Sequence, residues 1–395
     1  MRGEKHNWSL ETRAVQGAQG GDPVTGAISF PIYQSATFEH PALNETTGWD
    51  YSRQGNPTRS ELEATIAALE GGLRGYAFST GMAALSAVLD LLEKGDHAIL
   101  SEDLYGGTWR LFDECARRRG IAFDFVDTRD VARVEQALCP TTRLVLAESP
   151  SNPMARVSDL AALAALCKQN GCLFAVDNTF LSPLFQRPLE LGADMVIHSG
   201  SKFLAGHNDT LAGFVVVGSG GSEAQALADR LTLIHKTTGA VLSPFDSWLV
   251  LRGIKTLAVR IERQEESALR IALFLQGHPE VEEVYYAGLP DHPQYELSRR
   301  QASGFGSMIS FRVRSKDQIA QVLERVQLIR FAESLGGVES LITFPWQQTH
   351  AAIPEDFRRR LGVDERLLRL SVGIEKAEDL IADLEEALVD CYQYC

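Results

Sequence analysis

The sequence predicts an α/β fold with a mostly parallel, seven-stranded sheet and a smaller α+β domain at the C-terminal end. Short apolar runs alternate with amphipathic helical stretches, which is typical of strands joined by crossover helices. The chain has 395 residues, enough for two or three domains. Hydrophobic residues make up 45% and charged residues 23%, so a disordered or fibrous chain is excluded.

The first 59 residues predict an extended arm. Gly, Pro, Thr and Asn are frequent there, and helical periodicity is weak. Such an arm has no core of its own, so we expect it to pack on another subunit or across a cleft. A helix is predicted over residues 60–69, with Ser60 as its N-cap and Glu63 three residues later.

Residues 60–245 predict one large domain in which strands and helices alternate. Because helices join the strands, the sheet should be mostly parallel and covered on both faces. The predicted strands span residues 76–79, 97–100, 122–126, 144–148, 173–177, 195–198 and 213–217. The predicted helices between them span residues 82–93, 107–118, 131–138 and 159–169.

Residues 246–395 predict the smaller C-terminal domain. A long helical stretch at about 244–276 leads into it. Strands are then predicted at 281–286 and 306–312, and helices at 316–326 and 377–389. This mixture of strands and helices indicates an α+β unit.

The charge balance argues against nucleic acid or a membrane as a partner. The chain has 38 Lys plus Arg against 52 Asp plus Glu, which leaves a net charge of −14. Phosphate backbones and anionic lipids both require a basic surface. Residues 1–11 are polar and predict no secretory signal, and no apolar run is long enough for a membrane helix.

The cysteines predict neither a disulfide scaffold nor a metal site. None has C-x-x-C spacing, and two thiols one helical turn apart near the C-terminus make a poor zinc site. We therefore expect free thiols, a cytoplasmic protein and no bound metal. The six are Cys115, Cys139, Cys167, Cys172, Cys391 and Cys395.

The segment around Lys202 carries the most chemical information. Lys202 follows a predicted strand, so it lies at the edge where α/β sheets bind ligands. Ser199 and Ser201 flank it, and their hydroxyls can donate to phosphate oxygens. Taken alone, the segment also fits a solvated surface lysine in a polar loop.

Two further segments extend this pattern. Asp177 ends an apolar strand, where a carboxylate can hold a protonated ring nitrogen. Gly81 and Met82 begin a helix after a strand, and amides at a helix N-terminus bind phosphate. Asp177 alone also fits a turn or a helix cap, and the turn at Gly81 needs no ligand. Together, the three segments predict a pyridoxal phosphate site.

With these residues in this order, the chain resembles the Cys/Met-metabolism enzymes, which are fold-type I pyridoxal phosphate-dependent proteins. The family includes cystathionine γ-synthases, cystathionine γ- and β-lyases and O-acetylhomoserine sulfhydrylases. The resemblance covers about Thr12 to Leu388 and looks strongest toward the bacterial γ-synthases. The matching segments are 51–58, 105–108, 148–153, 177–180, 198–209, 333–337 and 369–375.

The resemblance implies how the cofactor is held. Lys202 binds it covalently and moves protons on the substrate, Asp177 pairs with the pyridine nitrogen, and Tyr105 stacks on the ring. The resemblance also implies a homotetramer built from two dimers, in which the arm of one chain reaches the site of a neighbouring subunit. The implied phosphate ligands are Gly81, Met82, Ser199 and Ser201 of one chain, with Tyr51 and Arg53 of its neighbour.

The resemblance also implies the substrate contacts. Arg369 clamps the α-carboxylate in a bidentate pair, helped by Asn152 and Ser334. Glu333 can receive the distal ammonium of cysteine or cystathionine, and Arg110 can bind a distal carboxylate. Three of the implied site residues also have an interpretation without a role in binding. Arg369 would then be a structural arginine, Tyr105 an aromatic residue at the rim of the site and Arg53 a surface charge.

These contacts favour γ-replacement on an acylated homoserine with cysteine, with possible sulfhydrylase side activity. Cystathionine γ- or β-lyase activity stays open, as does the acyl group, because such enzymes differ by small pocket changes. A methionine γ-lyase is less expected, because that enzyme carries a cysteine where this chain has Gly107. A non-catalytic cofactor-binding protein would be expected to lose Lys202, Asp177 or Arg369, and all three are present.

Four positions depart from the family pattern. Gly200 and Ser201 stand where Ala-Thr is usual before the lysine, and Phe203 stands where Tyr is usual after it. Ser201 keeps the hydroxyl for phosphate binding. Trp346 replaces a smaller residue and is expected to narrow the substrate pocket if its loop borders the cleft.

Overall fold

Two β-sheets organise the computed structural model, which describes residues 8–18 and 20–389. The predicted seven-stranded sheet is present, and each of its strands lies within two residues of its predicted bounds. A five-stranded sheet lies in the C-terminal part. The strands are β1 (Arg74–Phe78), β2 (His97–Ser101), β3 (Ala122–Val126), β4 (Thr142–Glu148), β5 (Leu173–Asp177), β6 (Met195–Ser199), β7 (Gly213–Val217), β8 (Val281–Tyr285), β9 (Met308–Val313), β10 (Arg330–Phe331), β11 (Leu341–Thr343) and β12 (Leu367–Ser371).

The large sheet has the strand order β1-β7-β6-β5-β4-β2-β3. Only β7 runs against its neighbours, β1 and β6, and the other four pairs are parallel, so the mostly parallel prediction is confirmed. The small sheet has the order β10-β11-β12-β9-β8, with one parallel pair, β10 and β11. The remaining pairs of that sheet are antiparallel, which confirms the α+β character of this part.

Helices cover both faces of the large sheet and one face of the small one. A 3₁₀-helix spans Pro188–Leu191 and a π-helix spans Leu111–Ala116. The α-helices are α1 (Leu10–Gln16), α2 (Pro57–Glu70), α3 (Gly81–Leu89), α4 (Gly106–Arg110), α5 (Arg117–Arg119), α6 (Val131–Ala137), α7 (Leu160–Asn170), α8 (Ser182–Phe185), α9 (Gly221–Thr238), α10 (Pro244–Ile254), α11 (Leu257–Gly277), α12 (Tyr295–Gln301), α13 (Asp317–Arg325), α14 (Glu355–Leu361) and α15 (Ala377–Leu388).

Alternating side chains of β7 show how the sheet fills both of its faces. Val215 and Val217 pack into the core formed with α3 and α9, whereas Phe214 and Val216 pack into the core formed with α2 and α10. All four are fully buried. The period of two thus sends successive residues of one apolar run to opposite sides, as a doubly covered sheet requires.

The predicted bounds of three helices were wrong. The helix predicted over 82–93 ends at Leu89, and the one predicted over 107–118 is interrupted by the π-helix. The long stretch at 244–276 is two helices, α10 and α11, separated at residues 255–256. The break has a local cause, because Arg260 and the amide of Thr256 both bond to the carbonyl of Gly253 and so end α10 there.

Apart from α1, the described residues of the arm up to residue 56 form no helix or strand. Its apolar side chains are largely in solvent in the single chain: Val24 is 82% exposed, Ile28 84% and Leu43 92%. The arm is bonded to α2 through Thr58, whose hydroxyl accepts from the amide of Tyr33 at 2.9 Å and donates to the carbonyl of Pro31 at 2.8 Å. An arm with this much exposed apolar surface is what a second protein surface would cover.

Metal-binding clusters and membrane-spanning helices are both absent from residues 8–18 and 20–389. In that part of the chain no cluster of His, Cys, Asp and Glu could hold a metal ion, and no helix has the length and apolarity needed to cross a bilayer. The four cysteines described there are free thiols. Cys391 and Cys395 lie outside the described residues.

The N-cap of α2 is Asn56, so the prediction of Ser60 was wrong. Asn56 is fully buried, and its side-chain oxygen accepts from the amides of Thr58 at 3.0 Å and Arg59 at 3.5 Å. Its amide nitrogen donates to the carbonyl of Tyr33 at 2.8 Å. Pro57 is the first helical residue, where its missing N–H costs nothing.

We expect Asn56→Ala to lower the free energy of unfolding by about 1–2 kcal/mol, because it removes the cap and the hydrogen bond to the partly buried Tyr33 carbonyl. Ser60→Ala is the matched control and should change it by less than about 0.5 kcal/mol. Denaturant unfolding of both variants measures the difference. Equal effects of the two substitutions would contradict the assignment of the cap.

Candidate active site

A cavity of about 380 Å³ opens at the carboxyl edge of the large sheet, between it and the small sheet. It receives side chains from the ends of β4, β5 and β6, from the start of α3, and from the loop before β11. The predicted residues that line it are Gly81, Met82, Tyr105, Asn152, Asp177, Ser199, Ser201, Lys202, Glu333, Ser334 and Arg369.

Lys202 lies in the turn after β6, with its amine inside the cavity. The Nζ atom donates a hydrogen bond to Ser334 Oγ at 2.8 Å, which joins the large sheet to the small one. Burial and, to a smaller extent, the nearby Arg369 cation lower the pKa of Lys202 from 10.5 to about 8, although the Glu333 carboxylate opposes the shift. A substantial fraction of the amine is therefore neutral near pH 7.5, as a nucleophile or a base requires.

Ser334 reaches this position at some conformational cost. Its φ is +128°, a region that L-residues rarely adopt. The loop that follows is held by the amide of Gly336, which donates to Ser371 Oγ on β12 at 2.8 Å. The strained residue is thus the one that meets the Lys202 amine.

Asp177 and Glu148 lie side by side at the ends of adjacent parallel strands. Thr179 donates to Asp177 Oδ1 from its amide at 3.0 Å and its hydroxyl at 2.6 Å, and no described residue donates to Oδ2. Burial raises the pKa of Asp177, and the Thr179 bonds and nearby His198 oppose that shift. One oxygen of Asp177 is thus free to face a protonated ring nitrogen.

Glu148 was not among the predicted site residues. Burial raises the pKa of Glu148 well above its usual range, and neighbouring Asp177 adds to the shift because two adjacent carboxylates do not ionise together easily. Its Oε2 accepts from the amide of Tyr105 at 2.9 Å. The sequence did contain a signal for Glu148, because this residue ends an apolar strand in the same way as Asp177.

The N-terminus of α3 presents an anion-binding surface to the cavity. Thr80 caps the helix by accepting from the amide of Ala83 at 3.0 Å, while the amides of Gly81 and Met82 have no partner among the described residues. Gly213 keeps this surface open, because a Cβ there would lie 2.0 Å from the Thr80 carbonyl oxygen. Two free amides at the start of a nine-residue helix suit a phosphate group.

The two serines beside Lys202 differ in availability. Ser201 Oγ accepts from the amide of Ala212 at 2.9 Å and donates to the Ala212 carbonyl at 3.3 Å, so its proton is already engaged. No described residue bonds to the Ser199 hydroxyl, which lies against Gly81. Ser199 is therefore the better placed of the two predicted phosphate ligands.

Arg369 lies 2% exposed on β12, at the wall of the cavity. Its guanidinium donates to Asn152 Oδ1 at 3.0 Å and to the Ser334 carbonyl at 3.1 Å, while its buried Nε has no partner. Asn152 is also fixed by His350, whose Nε2 lies 3.0 Å from the Asn152 carbonyl. The unused edge of the guanidinium, with Nε, can bind a carboxylate in two places.

Tyr105 lies at the mouth of the cavity and is 38% exposed. Gly107 allows its position, because a Cβ at residue 107 would lie 2.3 Å from Tyr105 Cε1 and 2.9 Å from Met82 Sδ. A cysteine at that position would have to displace the ring. The contrast with methionine γ-lyases therefore has a steric basis in this chain.

Three predicted site residues do not line this chain's cavity. Arg110 is exposed on α4, and Tyr51 and Arg53 are exposed in the arm. Arg53 bonds to the carbonyl of Lys236 at the end of α9 in its own chain, and its guanidinium lies 5.7 Å from the centre of the Tyr51 ring.

Of the four departures from the family pattern, Ser201 lines the cavity, whereas Gly200, Phe203 and Trp346 do not. Trp346 packs against the guanidinium groups of Arg358 and Arg359, 3.8 and 4.9 Å from its ring centre, and it is not among the residues that line the cavity. Phe203 is buried against the loop at Gly336. At Gly200, a Cβ would lie 2.3 Å from the Phe214 ring, which explains the glycine there.

The residues present fit pyridoxal phosphate. The free amides of Gly81 and Met82 with the Ser199 hydroxyl suit the phosphate, Asp177 Oδ2 suits the pyridine nitrogen, and a partly neutral Lys202 suits the aldehyde.

Comparison with known proteins assigns the chain to a family. The family model described as "Cys/Met metabolism PLP-dependent enzyme" matches residues 11–389. A cystathionine β-lyase of Bacillus subtilis is 47% identical over 97% of both chains, and a cystathionine γ-synthase/O-acetylhomoserine (thiol)-lyase of the same organism is 45% identical over 96% of both. The crystal structure of a Lactobacillus plantarum cystathionine γ-lyase complexed with L-serine has a TM-score of 0.93 at 43% identity and covers 96% of this chain and 98% of its own. The chain therefore belongs to the Cys/Met metabolism family of pyridoxal phosphate-dependent enzymes.

Proposed function

We propose that this enzyme joins an acylated homoserine to cysteine by γ-replacement, the reaction of a cystathionine γ-synthase. The observation that carries the proposal is Glu333, which lines the same cavity as Lys202 and Arg369. A carboxylate at that position is suited to the ammonium of a cysteine-derived nucleophile, while Arg369 is suited to the α-carboxylate of the homoserine derivative. Arg110 contributes nothing to this support, because it lies outside the cavity of its own chain.

The proposed roles follow from the geometry. Pyridoxal phosphate, when bound, supplies the electron sink that makes the substrate Cα–H acidic. Lys202 Nζ, in its neutral form, accepts the proton from Cα and can return it at another carbon. Arg369 and Asn152 orient the substrate, because their mutual hydrogen bond fixes the guanidinium before the substrate arrives.

Cleavage of cystathionine is the second candidate, and the relatives favour it as much as the first. The Bacillus subtilis relative with 47% identity is a β-lyase, and the structural neighbour is a γ-lyase. All of these reactions begin with removal of the same Cα proton, so the residues around Lys202 do not distinguish them. The distinction depends on which carbon loses the leaving group and which nucleophile enters.

We also propose a homotetramer of two dimers, in which each arm completes a neighbour's site. The support is the exposed apolar side chains of the arm, together with the position of Tyr51 and Arg53 outside their own chain's cavity. A residue that belongs to the site but cannot reach it in its own chain needs a partner subunit.

The rate at which the cofactor-free protein binds pyridoxal phosphate covalently should rise with pH and level off above about 8. The neutral amine is the reacting form, and the fraction that is neutral rises as the pH passes the pKa of Lys202, which is lowered to about 8. The growth of a visible absorption band that borohydride removes measures the reaction. Lys202→Ala should give no such band, and a midpoint near 10.5 would contradict the lowered pKa.

Mixing Lys202→Ala chains with Arg53→Ala chains should restore activity at limiting cofactor. In the mixed dimer one site combines an intact Lys202 with an intact Arg53 from the other chain, so up to about a quarter of wild-type activity should return. Steady-state turnover of the mixture against each variant alone measures it. No recovery after subunit exchange would place Arg53 in its own chain's site or remove it from the site.

Glu333→Ala should lower kcat/KM for cysteine at least about tenfold and change that for sulfide much less, because sulfide has no ammonium to bind. The measurement pairs each nucleophile with O-acetyl-, O-succinyl- and O-phosphohomoserine. Glu324→Ala, an exposed carboxylate on α13, is the control and should change neither.

The same panel tests the proposed reaction. Cystathionine from an acylated homoserine plus cysteine supports γ-replacement. Faster cleavage of cystathionine itself would favour a lyase, with pyruvate and homocysteine indicating β-cleavage and 2-oxobutyrate and cysteine indicating γ-cleavage. Equal losses for cysteine and sulfide in Glu333→Ala would remove the main support for a synthase.

A further inference from the structure

Arg260 on α11 is a buried cation with no acidic partner among the described residues. It is 4% exposed, and burial lowers its pKa to about 10, with no charged group of the described residues contributing to the shift. A buried guanidinium without a counter-ion is costly unless its N–H groups are all well bonded. The buried position of Arg260 therefore depends on hydrogen bonds from its guanidinium and not on packing alone.

The guanidinium bonds to backbone on both sides of a junction. Nη1 donates to the Phe203 carbonyl at 2.8 Å, and Nη2 lies 3.5 Å from the Leu204 carbonyl. Nη2 also donates to the Gly253 carbonyl at the end of α10 at 2.8 Å, and Nε donates to Thr256 at 3.2 Å. Arg260 thus clamps the two residues after Lys202 to the break between α10 and α11.

The turn that carries Lys202 closes directly over this guanidinium. The amide of Gly206 donates to the Lys202 carbonyl at 2.8 Å, and Gly206 has a φ of +73°. A Cβ at Gly206 would lie 2.0 Å from Arg260 Nη1. The turn therefore has both the missing side chain and the backbone conformation that this contact requires.

One helical turn further along, Gln264 holds the other side of the site. It is fully buried and donates to the Gly337 carbonyl at 2.7 Å. The amide of Val338 also donates to the Gly206 carbonyl at 3.0 Å. Helix α11 is thus bonded both to the Lys202 turn and to the loop that carries Ser334.

We propose that Arg260 is a positioning residue for Lys202, which holds the turn so that the Nζ atom stays beside Ser334 Oγ. The proposal rests on the proposed role of Lys202 as the reacting amine. Arginine suits this task because its planar fork presents five N–H donors in fixed directions. Lysine would keep the charge but could not bond to carbonyls of both segments with the same geometry.

The test compares three variants on the holoenzyme and the cofactor-free protein. Arg260→Met removes charge and donors, Arg260→Lys keeps the charge alone, and Arg263→Met is the matched control on the solvent side of the same helix. Arg263 bonds only to Glu266 in an exposed pair, so its loss should change little.

Both Arg260 variants should lower kcat at least about tenfold while KM changes less than about threefold, because the substrate contacts of Arg369 and Asn152 remain. In the cofactor-free protein, the pH midpoint of covalent cofactor binding should rise by at least about half a unit, because a displaced amine regains solvent. Hydrogen exchange of residues 202–206 should speed up in the same variants. Arg263→Met should match wild type in all three measurements.

Wild-type kcat and midpoint in Arg260→Lys would overturn the proposal, since charge alone would then suffice. If Arg260→Met does not fold, Gly206→Ala tests the same contact from the turn and should show the same fall in kcat and rise in midpoint; an unchanged midpoint there also overturns it. A wild-type protein without a borohydride-sensitive band at Lys202 would instead refute the proposed function itself.

Discussion

The parallel pairing of β4, β5 and β6 is the constraint on which the site depends. Parallel strands in register end at one edge, so Glu148 and Asp177 stand opposite each other and the turn after β6 brings Lys202 beside them. The antiparallel strand β7 then brings Gly213 against Thr80. The absence of a side chain at Gly213 lets the start of α3, with its free amides, close the same edge.

The second constraint is the contact between the two sheets. The Lys202–Ser334 and Arg369–Asn152 hydrogen bonds connect loops of the large sheet to the small one, and the bond from Arg369 to the Ser334 carbonyl ties the two small-sheet residues together. These groups are buried or partly buried, and burial accounts for most of the lowered pKa of Lys202. The chemistry of the amine is therefore a property of the assembled pair of sheets rather than of either one.

Residues with different proposed roles lie at different depths in the cavity. Arg369 and Asn152 are buried in the walls, whereas Glu333 and Tyr105 lie exposed at the mouth. Relatives with β-lyase, γ-lyase and γ-synthase activities share more than 40% identity with this chain. Because enzymes of this kind can differ in specificity through small pocket changes, the exposed positions at the mouth are where we expect such differences.

The sequence by itself determined the strand and helix alternation, the seven strands, the family and eleven of the residues that line the cavity, because period, turn residues and motif order are local properties of the chain. It did not determine the cap at Asn56, the break before Thr256 or the engagement of Ser201. The first two rest on contacts within seven residues along the chain, whereas Ser201 is engaged by Ala212, eleven residues away on the side of the turn that leads into the next strand. The tertiary structure also decided three further properties. The raised pKa of Glu148, the contacts of the buried Arg260 cation and the orientation of the Trp346 indole all depend on neighbours that are distant in the sequence.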